Sequence, residues 1–455
     1  MAPLQALPAF IAPWMARQRW YANKGALPVL EPIGSVELPT DEPDVRLITH
    51  LLLDHTVGKP ALYQVPLSYR GARSGAEGSL VGESDGWWVY DAPHDPAYTR
   101  ALLALVVEQQ ELDGDRMWAR GSRAAGGVAS DLDHRGMVSR VLTGEQSNTS
   151  IVFEGAAGPP VIVKLFRALH HGENPDVELQ TALAAAGSDA VPRSVGHVVA
   201  DWSDTGETSG RAHGHLAFAQ EFLPGAQDAW RVALSAAAAG RDFSAEAHAL
   251  GVATAGVHAA LAVALPRAAT EQVDIDAVVD HMHGRLATAI SEVPQLEQIA
   301  DAIRERFELA TTVAWPDQQR IHGDLHLGQV LAVPGRAWVI VDFEGEPLRP
   351  MRERSQLDNP LRDVAGMLRS FDYVAGSLTI DGFVAATDDW VATARAAFTL
   401  GYSEASGCDI QANRALVDAF ELDKALYETV YEVRNRPAWL PIPLLALRRL
   451  SERRT

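Results

Sequence analysis

One stretch, residues 320–347, constrains the fold of this chain more than any other; it reads RIHGDLHLGQVLAVPGRAWVIVDFEGEP. It carries two acidic centres, Asp324 in a His-Gly-Asp-Leu-His run and Asp342 in an Asp-Phe-Glu run. The apolar residues 337–341 are enough for one short buried strand, and a Pro-Gly pair just before them is typical of a turn. The stretch therefore predicts a small hairpin with the two acidic centres at its neighbouring ends.

The residue types at these two centres suit the transfer of a phosphoryl group. An attacking hydroxyl needs a carboxylate that orients it and accepts its proton, and Asp324 fits that role. Mg²⁺, which neutralises the phosphates of ATP, prefers oxygen ligands; Gln329 supplies an amide oxygen, while Asp342 and Glu344 supply carboxylates. The spacing matches the catalytic and metal motifs of kinases, with Gln for the usual Asn. A solvated loop followed by an ordinary strand end is the alternative.

A candidate phosphate loop lies upstream, where residues 139–153 predict a strand, a small polar turn and a second strand. Ser147, Asn148 and Thr149 stand in the turn. Backbone N–H groups and hydroxyls of such a turn can hold phosphates, although polar hairpin turns are also common without a ligand.

Lys164 interrupts an apolar strand, Val-Ile-Val-Lys-Leu-Phe, where an unpaired charge is costly. Kinases use a lysine so placed to bind ATP phosphates and to pair with a glutamate on the next helix. Glu178, just after the Pro175 that favours a helix start, is the candidate partner. A lysine on an edge strand that points to water is the alternative.

Residues 217–225 predict a strand and then a linker, where kinases pair their backbone with adenine.

Composition and charge limit the classes to which this protein can belong. The 455 residues suffice for two or three domains, and 47% hydrophobic with 22% charged residues is typical of globular proteins. A net charge of −20 disfavours a broad surface for nucleic acid or an anionic membrane. Cys408 is the single cysteine, so no internal disulfide can form. The first 20 residues do not resemble a signal peptide, and we expect no transmembrane run and a cytoplasmic location.

The two ends of the chain differ in pattern. Residues 1 to about 115 combine a predicted amphipathic helix, 7–20, with the strands of a small antiparallel sheet, and they show no catalytic constellation. From residue 230 onward the pattern becomes helical, and we expect the ordered chain to end at 439–441.

One of these predicted helices, 421–432, carries Glu421, Lys424 and Glu428 on one face, and it also carries Tyr427. Carboxylates and tyrosines that face a cleft could bind sugar hydroxyls. A solvated face with charge pairing is the alternative.

Seven motifs together resemble one family, the actinobacterial maltokinases and glucosamine kinases within the aminoglycoside-phosphotransferase-like kinases. They span nearly the whole chain: QRWY at 18–21, GEQSNTS at 144–150, NPDVEL at 174–179, HGDLHLGQVL at 322–331, DFEGEP at 342–347, LRDVAGMLRSFDY at 361–373 and ELDKALYETVYEVRNRPAWLPIPL at 421–444.

The resemblance implies an α+β, bilobal, protein-kinase-like fold with an N-terminal α/β cap domain. It implies three domains: the cap at 1–115, an intermediate β-rich lobe at 116–225 and a helical C-lobe at 226–455. The resemblance implies that Asp324 is the catalytic base and that Gln329, Asp342 and Glu344 are Mg²⁺ ligands. It implies that Lys164 binds phosphates, with Glu178 as its partner. It also implies a phosphate loop at Ser147, Asn148 and Thr149 and an adenine linker at Glu221, Phe222 and Leu223.

The chain departs from the maltokinase pattern in the loop 352–363, which reads RERSQLDNPLRD. The family pattern there has Glu-Arg-Arg, a short Pro-containing stretch and Pro-Leu-Arg-Asp. A changed loop beside unchanged catalytic motifs favours a different sugar. A cationic amino sugar suits a carboxylate-rich cleft, and the candidate sugar-binding residues are Asp324, His326, Asp363, Glu421, Lys424, Tyr427 and Glu428.

We therefore predict a sugar kinase that uses ATP and Mg²⁺ to convert D-glucosamine to D-glucosamine 6-phosphate. Phosphorylation of maltose at its anomeric hydroxyl is the alternative. A catalytically inactive kinase-like binding or regulatory protein is an alternative of another class, against which the intact motifs argue. The cap and the 421–432 helix argue against an aminoglycoside resistance kinase. The expected partners are a small sugar and ATP, without nucleic acid or membrane, in a monomer or weak homodimer.

Overall fold

The computed structural model describes residues 7–74, 77–125, 132–143, 147–155, 158–203, 210–346, 349–382 and 387–453. The chain forms two compact units. Unit 1 comprises Met1–Ala185 and Pro192–Pro224, and unit 2 comprises Ala186–Val191 and Gly225–Thr455. The division at Pro224 falls within two residues of the predicted start of the helical lobe.

Unit 1 is built on two antiparallel sheets. The first has the order β1-β2-β3-β5-β4, formed by β1 (Leu30–Leu38), β2 (Val45–Asp54), β3 (Ala61–Arg70), β4 (Leu80–Ser84) and β5 (Trp87–Asp91). The second has the order β6-β7-β12-β13-β10-β9-β8, formed by β6 (Glu111–Asp113), β7 (Met117–Arg123), β8 (Val138–Val141), β9 (Asn148–Glu154), β10 (Val161–Phe166), β12 (Ser194–Ser203) and β13 (Arg211–Glu221). In the described part of unit 1 three helices accompany them: α1 (Ile11–Met15), α2 (Pro96–Val107) and α3 (Pro175–Ala185).

The two sheets of unit 1 share one hydrophobic core. Strand β11 (Ala168–Leu169), which follows β10, pairs with β3 of the first sheet. One cluster of buried side chains runs from Ile33 in β1 to Ala219 in β13. The predicted boundary between a cap and an intermediate lobe at residue 115 therefore does not divide the packing, and the three-domain division stays a prediction.

A buried arginine joins the two sheets of unit 1. Arg167 has no exposed surface. It lies 3.0 Å from the carboxylate of Asp91 at the end of β5, and its Nε donates to the Oγ1 of Thr149 in β9 at 2.9 Å. Its guanidinium also stacks on the ring of Trp20, 4.8 Å from the centroid.

Unit 2 is mainly helical. Its helices are α4 (Ala229–Ala238), α5 (Ser244–Ala264), α6 (Gln272–Glu292), α7 (Ala300–Ala310), α8 (Met351–Arg354), α9 (Leu361–Ile380), α10 (Thr387–Ser406), α11 (Arg414–Asn435) and α12 (Pro441–Ser451). Its short strands are β14 (Gln227–Asp228), β17 (Val330–Ala332) and β18 (Val339–Ile340), which form one sheet, and β15 (Arg267–Ala268) with β16 (Gln318–Gln319), which form another.

Helix α5 is long and apolar enough to cross a membrane by length and composition, with a mean hydropathy of 1.5, contrary to the expectation of no such run. Inside unit 2 this helix packs closely on α10. A Cβ added at Gly251 would lie 2.2 Å from the carbonyl oxygen of Phe398, and one at Gly401 would lie 2.2 Å from that of His248. Only glycine permits this approach, which explains the burial of one face of α5.

Two sequence expectations about the chain ends are wrong. The predicted helix 7–20 shrinks to the five residues of α1, and turns follow it. The ordered chain also continues past residue 441, because α12 buries Ile442, Leu447 and Leu450. The sequence pattern did not predict α12, because the prolines at positions 441 and 443 suggested the end of ordered structure. Proline is, however, accepted in the first turn of a helix.

The Arg167–Asp91 pair provides a test of the joint between the sheets. We expect Asp91→Ala to reduce the free energy of unfolding of unit 1 by about 3–5 kcal/mol, because it leaves a buried guanidinium charge without its carboxylate. Denaturant unfolding followed by tryptophan fluorescence measures this. Glu37→Ala removes the partner of Arg46 in an exposed pair and should cost less than about 1 kcal/mol. Equal losses in both variants would contradict the structural role of Arg167.

Candidate active site

The predicted hairpin is present in unit 2. Strands β17 and β18 pair antiparallel, with Gln329 directly before β17 and Asp342 just after β18. The Nε2 of Gln329 donates to the Oδ2 of Asp342 at 2.9 Å. Asp342 and Glu344 also offer carboxylate oxygens within 4.8 Å of each other. The hairpin thus brings together the three predicted metal ligands.

Asp342 adopts a left-handed backbone conformation, with φ of 66°. This conformation costs free energy for any residue other than glycine, and strained residues of this kind cluster at binding and catalytic sites. The turn directs Asp342 back toward Gln329, which accounts for the hydrogen bond between their side chains.

A buried carboxylate holds the backbone on the N-terminal side of Asp324. Asp363, in the first turn of α9, accepts hydrogen bonds from the backbone N–H of His322 at 2.8 Å and of Gly323 at 2.9 Å. His258 of α5 lies 3.0 Å from the same carboxylate. Burial would raise the pKa of Asp363, but these hydrogen bonds outweigh it and lower the pKa.

The ring of His322 ties the loop to the second acidic centre. Its Nδ1 accepts the backbone N–H of Asp324 at 3.3 Å, so the proton resides on Nε2, which donates to the carbonyl oxygen of Val341 at 3.0 Å. Helix α9 approaches the other side of the loop, since a Cβ on Gly366 would lie 2.6 Å from the carbonyl oxygen of Leu325. The position of Asp324 is therefore set by α9 and by the strand end before Asp342.

Lys424 of α11 contacts the predicted catalytic base. Its Nζ lies 2.8 Å from the Oδ1 of Asp324 and 2.8 Å from the Oε1 of Glu346. Burial would lower the pKa of Lys424, but the two carboxylates outweigh it and raise the pKa. In Glu346 burial would raise the pKa, but Lys424 and Arg285 hold it at about 2. Both groups therefore stay charged at neutral pH.

Further ion pairs extend from Lys424 to the loop in which the sequence departs from the maltokinase pattern. Arg285 of α6 lies between Glu346 and Asp423, at 3.6 and 3.3 Å. Arg362 binds Asp423 at 2.8 Å and Asp358 at 3.0 Å. The divergent loop 352–363 is thus connected to Asp324 through buried charges of unit 2.

The nucleotide-binding candidates lie in unit 1. Lys164 of β10 is 3.1 Å from the carboxylate of Asp176, the second residue of α3. Asp176 is buried, and its other oxygen accepts from Gln180 at 2.6 Å. The structure therefore gives Lys164 a carboxylate partner two residues before the predicted Glu178, whose own role stays a prediction.

The predicted phosphate loop and adenine linker lie on neighbouring strands of unit 1. Asn148 and Thr149 begin β9 and Ser147 precedes it, while residues 144–146 of the motif lie outside the described part. In the linker, the N–H of Glu221 donates to Arg193 and that of Phe222 to Pro160, at 2.8 and 2.9 Å. Leu223 is the next residue whose backbone could pair with adenine.

Two predicted sugar-binding residues are corrected by the structure. Asp363 is buried and holds the loop before Asp324, as described above. Glu421 is fully buried, and both of its oxygens accept hydrogen bonds from Arg395, at 2.9 and 2.8 Å. Neither buried carboxylate is placed to bind a sugar, so the predicted set of sugar-binding residues loses Asp363 of α9 and Glu421 of α11.

The remaining candidates are partly rather than fully buried. The Oε2 of Glu428 binds Arg369 at 2.7 and 3.0 Å, whereas no described side chain or backbone donor bonds its Oε1. The ring of Tyr427 lies beneath Lys424 and Arg285, with centroid distances of 4.8 and 5.3 Å. His326 uses its Nδ1 to accept the N–H of Gly328, and burial lowers its pKa, so its ring is neutral near pH 7.

Sequence reasoning missed Asp176, Glu346 and Asp423 as members of these ion pairs. Each lies within two residues of a residue that was predicted: Glu178, Glu344 and Lys424. Their presence in the motifs NPDVEL, DFEGEP and ELDK was the available signal. Which carboxylate of a motif turns toward a given cation depends on helix and turn geometry that the motif does not specify.

With this geometry in view, comparison with protein families assigns the chain. Residues 139–398 match the phosphotransferase enzyme family, and residues 14–95 match the maltokinase N-terminal cap domain. Since the first match covers more than half of the 455 residues, the chain belongs to the phosphotransferase enzyme family. This confirms the resemblance inferred from the motifs, and the family supports ATP as the phosphoryl donor.

Similar individual proteins are glucosamine kinases. The one from Streptacidiphilus jiangxiensis is 29% identical over 348 residues, which cover 70% of this chain and 74% of that protein. The one from Mycolicibacterium smegmatis is 29% identical over 342 residues, which cover 70% and 80%. A solved glucosamine kinase in complex with glucosamine, ADP and inorganic phosphate has a TM-score of 0.65 and 23% identity, covering 91% of this chain and 95% of that one. This likeness confirms the predicted kinase-like fold.

The depressed pKa of Glu346 makes the stability of unit 2 depend on pH. At pH values above its ordinary pKa, near 4.5, the ionised carboxylate of Glu346 stabilises the fold. This contribution is lost as the pH falls toward about 2. We expect the difference in free energy of unfolding between the natural chain and Glu346→Gln to shrink by about 3 kcal/mol from pH 5 to pH 2.

Urea unfolding at a series of pH values measures that difference. Glu353→Gln, at a side chain that is 42% exposed in the same segment, serves as the control and should leave the pH profile unchanged. A constant difference between the natural chain and Glu346→Gln across the range would show that Glu346 is not held charged by Lys424 and Arg285.

Proposed function

We propose that this chain is an ATP- and Mg²⁺-dependent glucosamine kinase that phosphorylates the 6-hydroxyl of D-glucosamine. The main observation behind this proposal is the arrangement of Asp324. Lys424 binds one oxygen of its carboxylate, and the other oxygen accepts no hydrogen bond from the described residues. Two glucosamine kinases with 29% identity over about three quarters of their length support the choice of sugar.

Asp324 orients the sugar hydroxyl and takes its proton as the phosphoryl group is transferred. Lys424 keeps Oδ1 engaged, so Oδ2 is the acceptor for the hydroxyl. The turn that Asp363 holds keeps this carboxylate in place before the sugar arrives, and catalysis of this kind depends on positioning.

The hairpin suits Mg²⁺. Gln329 uses its amide nitrogen for Asp342, which leaves its oxygen for a cation, and Asp342 and Glu344 add carboxylate oxygens. Hard oxygen donors of this kind are those that Mg²⁺ prefers. When bound, the metal neutralises charge on the phosphates of ATP. Gln329, Asp342 and Glu344 are the proposed ligands.

Unit 1 supplies the proposed contacts to ATP. Lys164 is held by Asp176 at the middle of β10 and binds the phosphates. The backbone of Ser147, Asn148 and Thr149 lines the phosphate loop, and Thr149 is fixed by Arg167. The linker 221–223 pairs with adenine.

The amino group of the sugar is recognised by Glu428. Its Oε1 is available while Arg369 holds Oε2, and it lies one turn of α11 after Lys424, which contacts Asp324. An ammonium near a carboxylate is favoured in both charge and hydrogen bonding. Tyr427, His326 and Lys424 complete the proposed sugar-binding residues.

A second candidate substrate is maltose, because residues 14–95 match the maltokinase cap domain. A coupled assay of ATP consumption with glucosamine, glucose, maltose and kanamycin decides between the two sugars. We expect turnover with glucosamine to exceed that with maltose. The reverse order would assign a maltokinase, and no turnover with any acceptor would favour the inactive binding or regulatory protein.

The single cysteine supports a cytoplasmic location, and we propose a monomer or weak homodimer.

Removal of the proposed base tests the mechanism. Asp324→Asn should lower kcat by about 10²–10⁴-fold, because the amide cannot take the hydroxyl proton, while ATP binding measured by calorimetry is retained. Asp317→Asn changes an exposed aspartate seven residues upstream and should retain activity. Normal turnover in Asp324→Asn would remove Asp324 from its role.

Glu428→Gln tests recognition of the amino group. It keeps the shape of the side chain and removes its charge, so we expect KM for glucosamine to rise about tenfold or more while the smaller activity toward glucose changes little. Steady-state kinetics with both sugars distinguish the cases. An equal rise for both sugars would assign Glu428 a general structural role.

A further inference from the structure

Unit 2 contains a cavity of about 680 Å³ between helices α9, α10, α12 and the start of α11. Its size is that of a typical site for a small molecule. Among the residues that line it are four arginines: Arg395, Arg414, Arg449 and Arg453. None of the residues proposed above for the sugar, ATP or Mg²⁺ lines it, so it is separate from the candidate active site.

The positive charge around this cavity exceeds the negative charge. Asp372 is shared by three guanidinium groups, those of Arg369, Arg395 and Arg449. Asp418 is shared by Arg414 and Arg453, at 2.6 and 2.8 Å.

The two remaining carboxylates of the network are Glu421, which binds Arg395, and Glu428, which binds Arg369. Among these described ion pairs five arginines thus face four carboxylates, so positive charge is in excess. Arg395 is itself buried, with its side chain 9% exposed.

Most of the uncharged lining of the cavity is aliphatic. It includes Leu368, Val391, Ile442 and Leu445, and no aromatic ring lies among the described lining residues. Leu445, which is 71% exposed, gives this lining apolar surface that a ligand could cover. A wall without rings or many hydroxyl-binding groups suits an aliphatic chain better than a second sugar.

We propose that this cavity binds an organic anion with one carboxylate head and an aliphatic body. The carboxylate lies against the guanidinium groups of Arg449 and Arg453, where arginine forms paired hydrogen bonds with carboxylate oxygens. The aliphatic body covers Leu445 and Ile442. The excess of arginine over carboxylate in the described ion pairs favours an anionic head. The proposal does not depend on which sugar the protein phosphorylates.

Calorimetric titration of the whole chain with octanoate tests the proposal. We expect one saturable site, no saturable binding of 1-octanol, which has the same aliphatic body without the charge, and none of inorganic phosphate, which has charge without the body. Octanoate should still bind in the presence of saturating ADP, Mg²⁺ and glucosamine, because the two sites are separate.

Variants on α12 locate the site. Arg449→Gln removes a head contact and leaves Asp372 paired with two arginines, and Leu445→Glu places a negative charge at the exposed wall. Each should weaken octanoate binding at least tenfold. Arg448→Gln, at the neighbouring exposed arginine that does not line the cavity, should bind as the natural chain does.

Several outcomes would overturn the proposal: no saturable binding of octanoate, equal binding of 1-octanol, tighter binding of phosphate, or displacement by ADP and glucosamine. Unchanged affinity in Leu445→Glu would also overturn it. That variant changes an exposed side chain, so it should fold even if Arg449→Gln does not.

Discussion

A buried lysine between two carboxylates is the interaction on which the candidate site of unit 2 depends. Lys424 cannot be buried as a cation without Asp324 and Glu346, and Glu346 cannot be buried as an anion without Lys424 and Arg285. Desolvation would oppose each charge alone. Helix α11, helix α6 and the segments before β17 and after β18 must therefore fold together before any of these charges is tolerated.

Backbone geometry is the second constraint, and Asp363 supplies it. A turn that presents Asp324 leaves N–H groups without partners in a helix or sheet, and the carboxylate of Asp363 accepts two of them. The opposite centre, at Asp342, is held in a left-handed conformation that costs free energy. A site that is positioned in advance loses little entropy when substrate binds, which is the contribution expected of a kinase scaffold.

Unit 1 shows that a boundary in sequence need not be a boundary in packing. The segment that matches a cap domain, residues 14–95, shares its core with the strands that carry Lys164 and Thr149. Arg167 connects the two sheets through specific contacts. Its buried charge pairs with Asp91 of one sheet, and its Nε donates a hydrogen bond to Thr149 of the other. A change in the cap is therefore expected to reach the strands that carry the nucleotide-binding candidates, through packing and this ion pair.

The sequence by itself determined the hairpin, the mid-strand lysine and the kinase-like family, because strand period, turn residues and motif spacing are local properties. Gln329 and Asp342 meet as predicted, since a hairpin leaves little freedom in where its ends lie. Only the tertiary structure decided that Asp176 contacts Lys164, that Lys424 holds Asp324, and that Asp363 and Glu421 are buried. The reason is physical: a buried charge is stable only beside its partner. Partners such as Lys424 and Asp324 lie 100 residues apart in the sequence, so packing decides whether they meet.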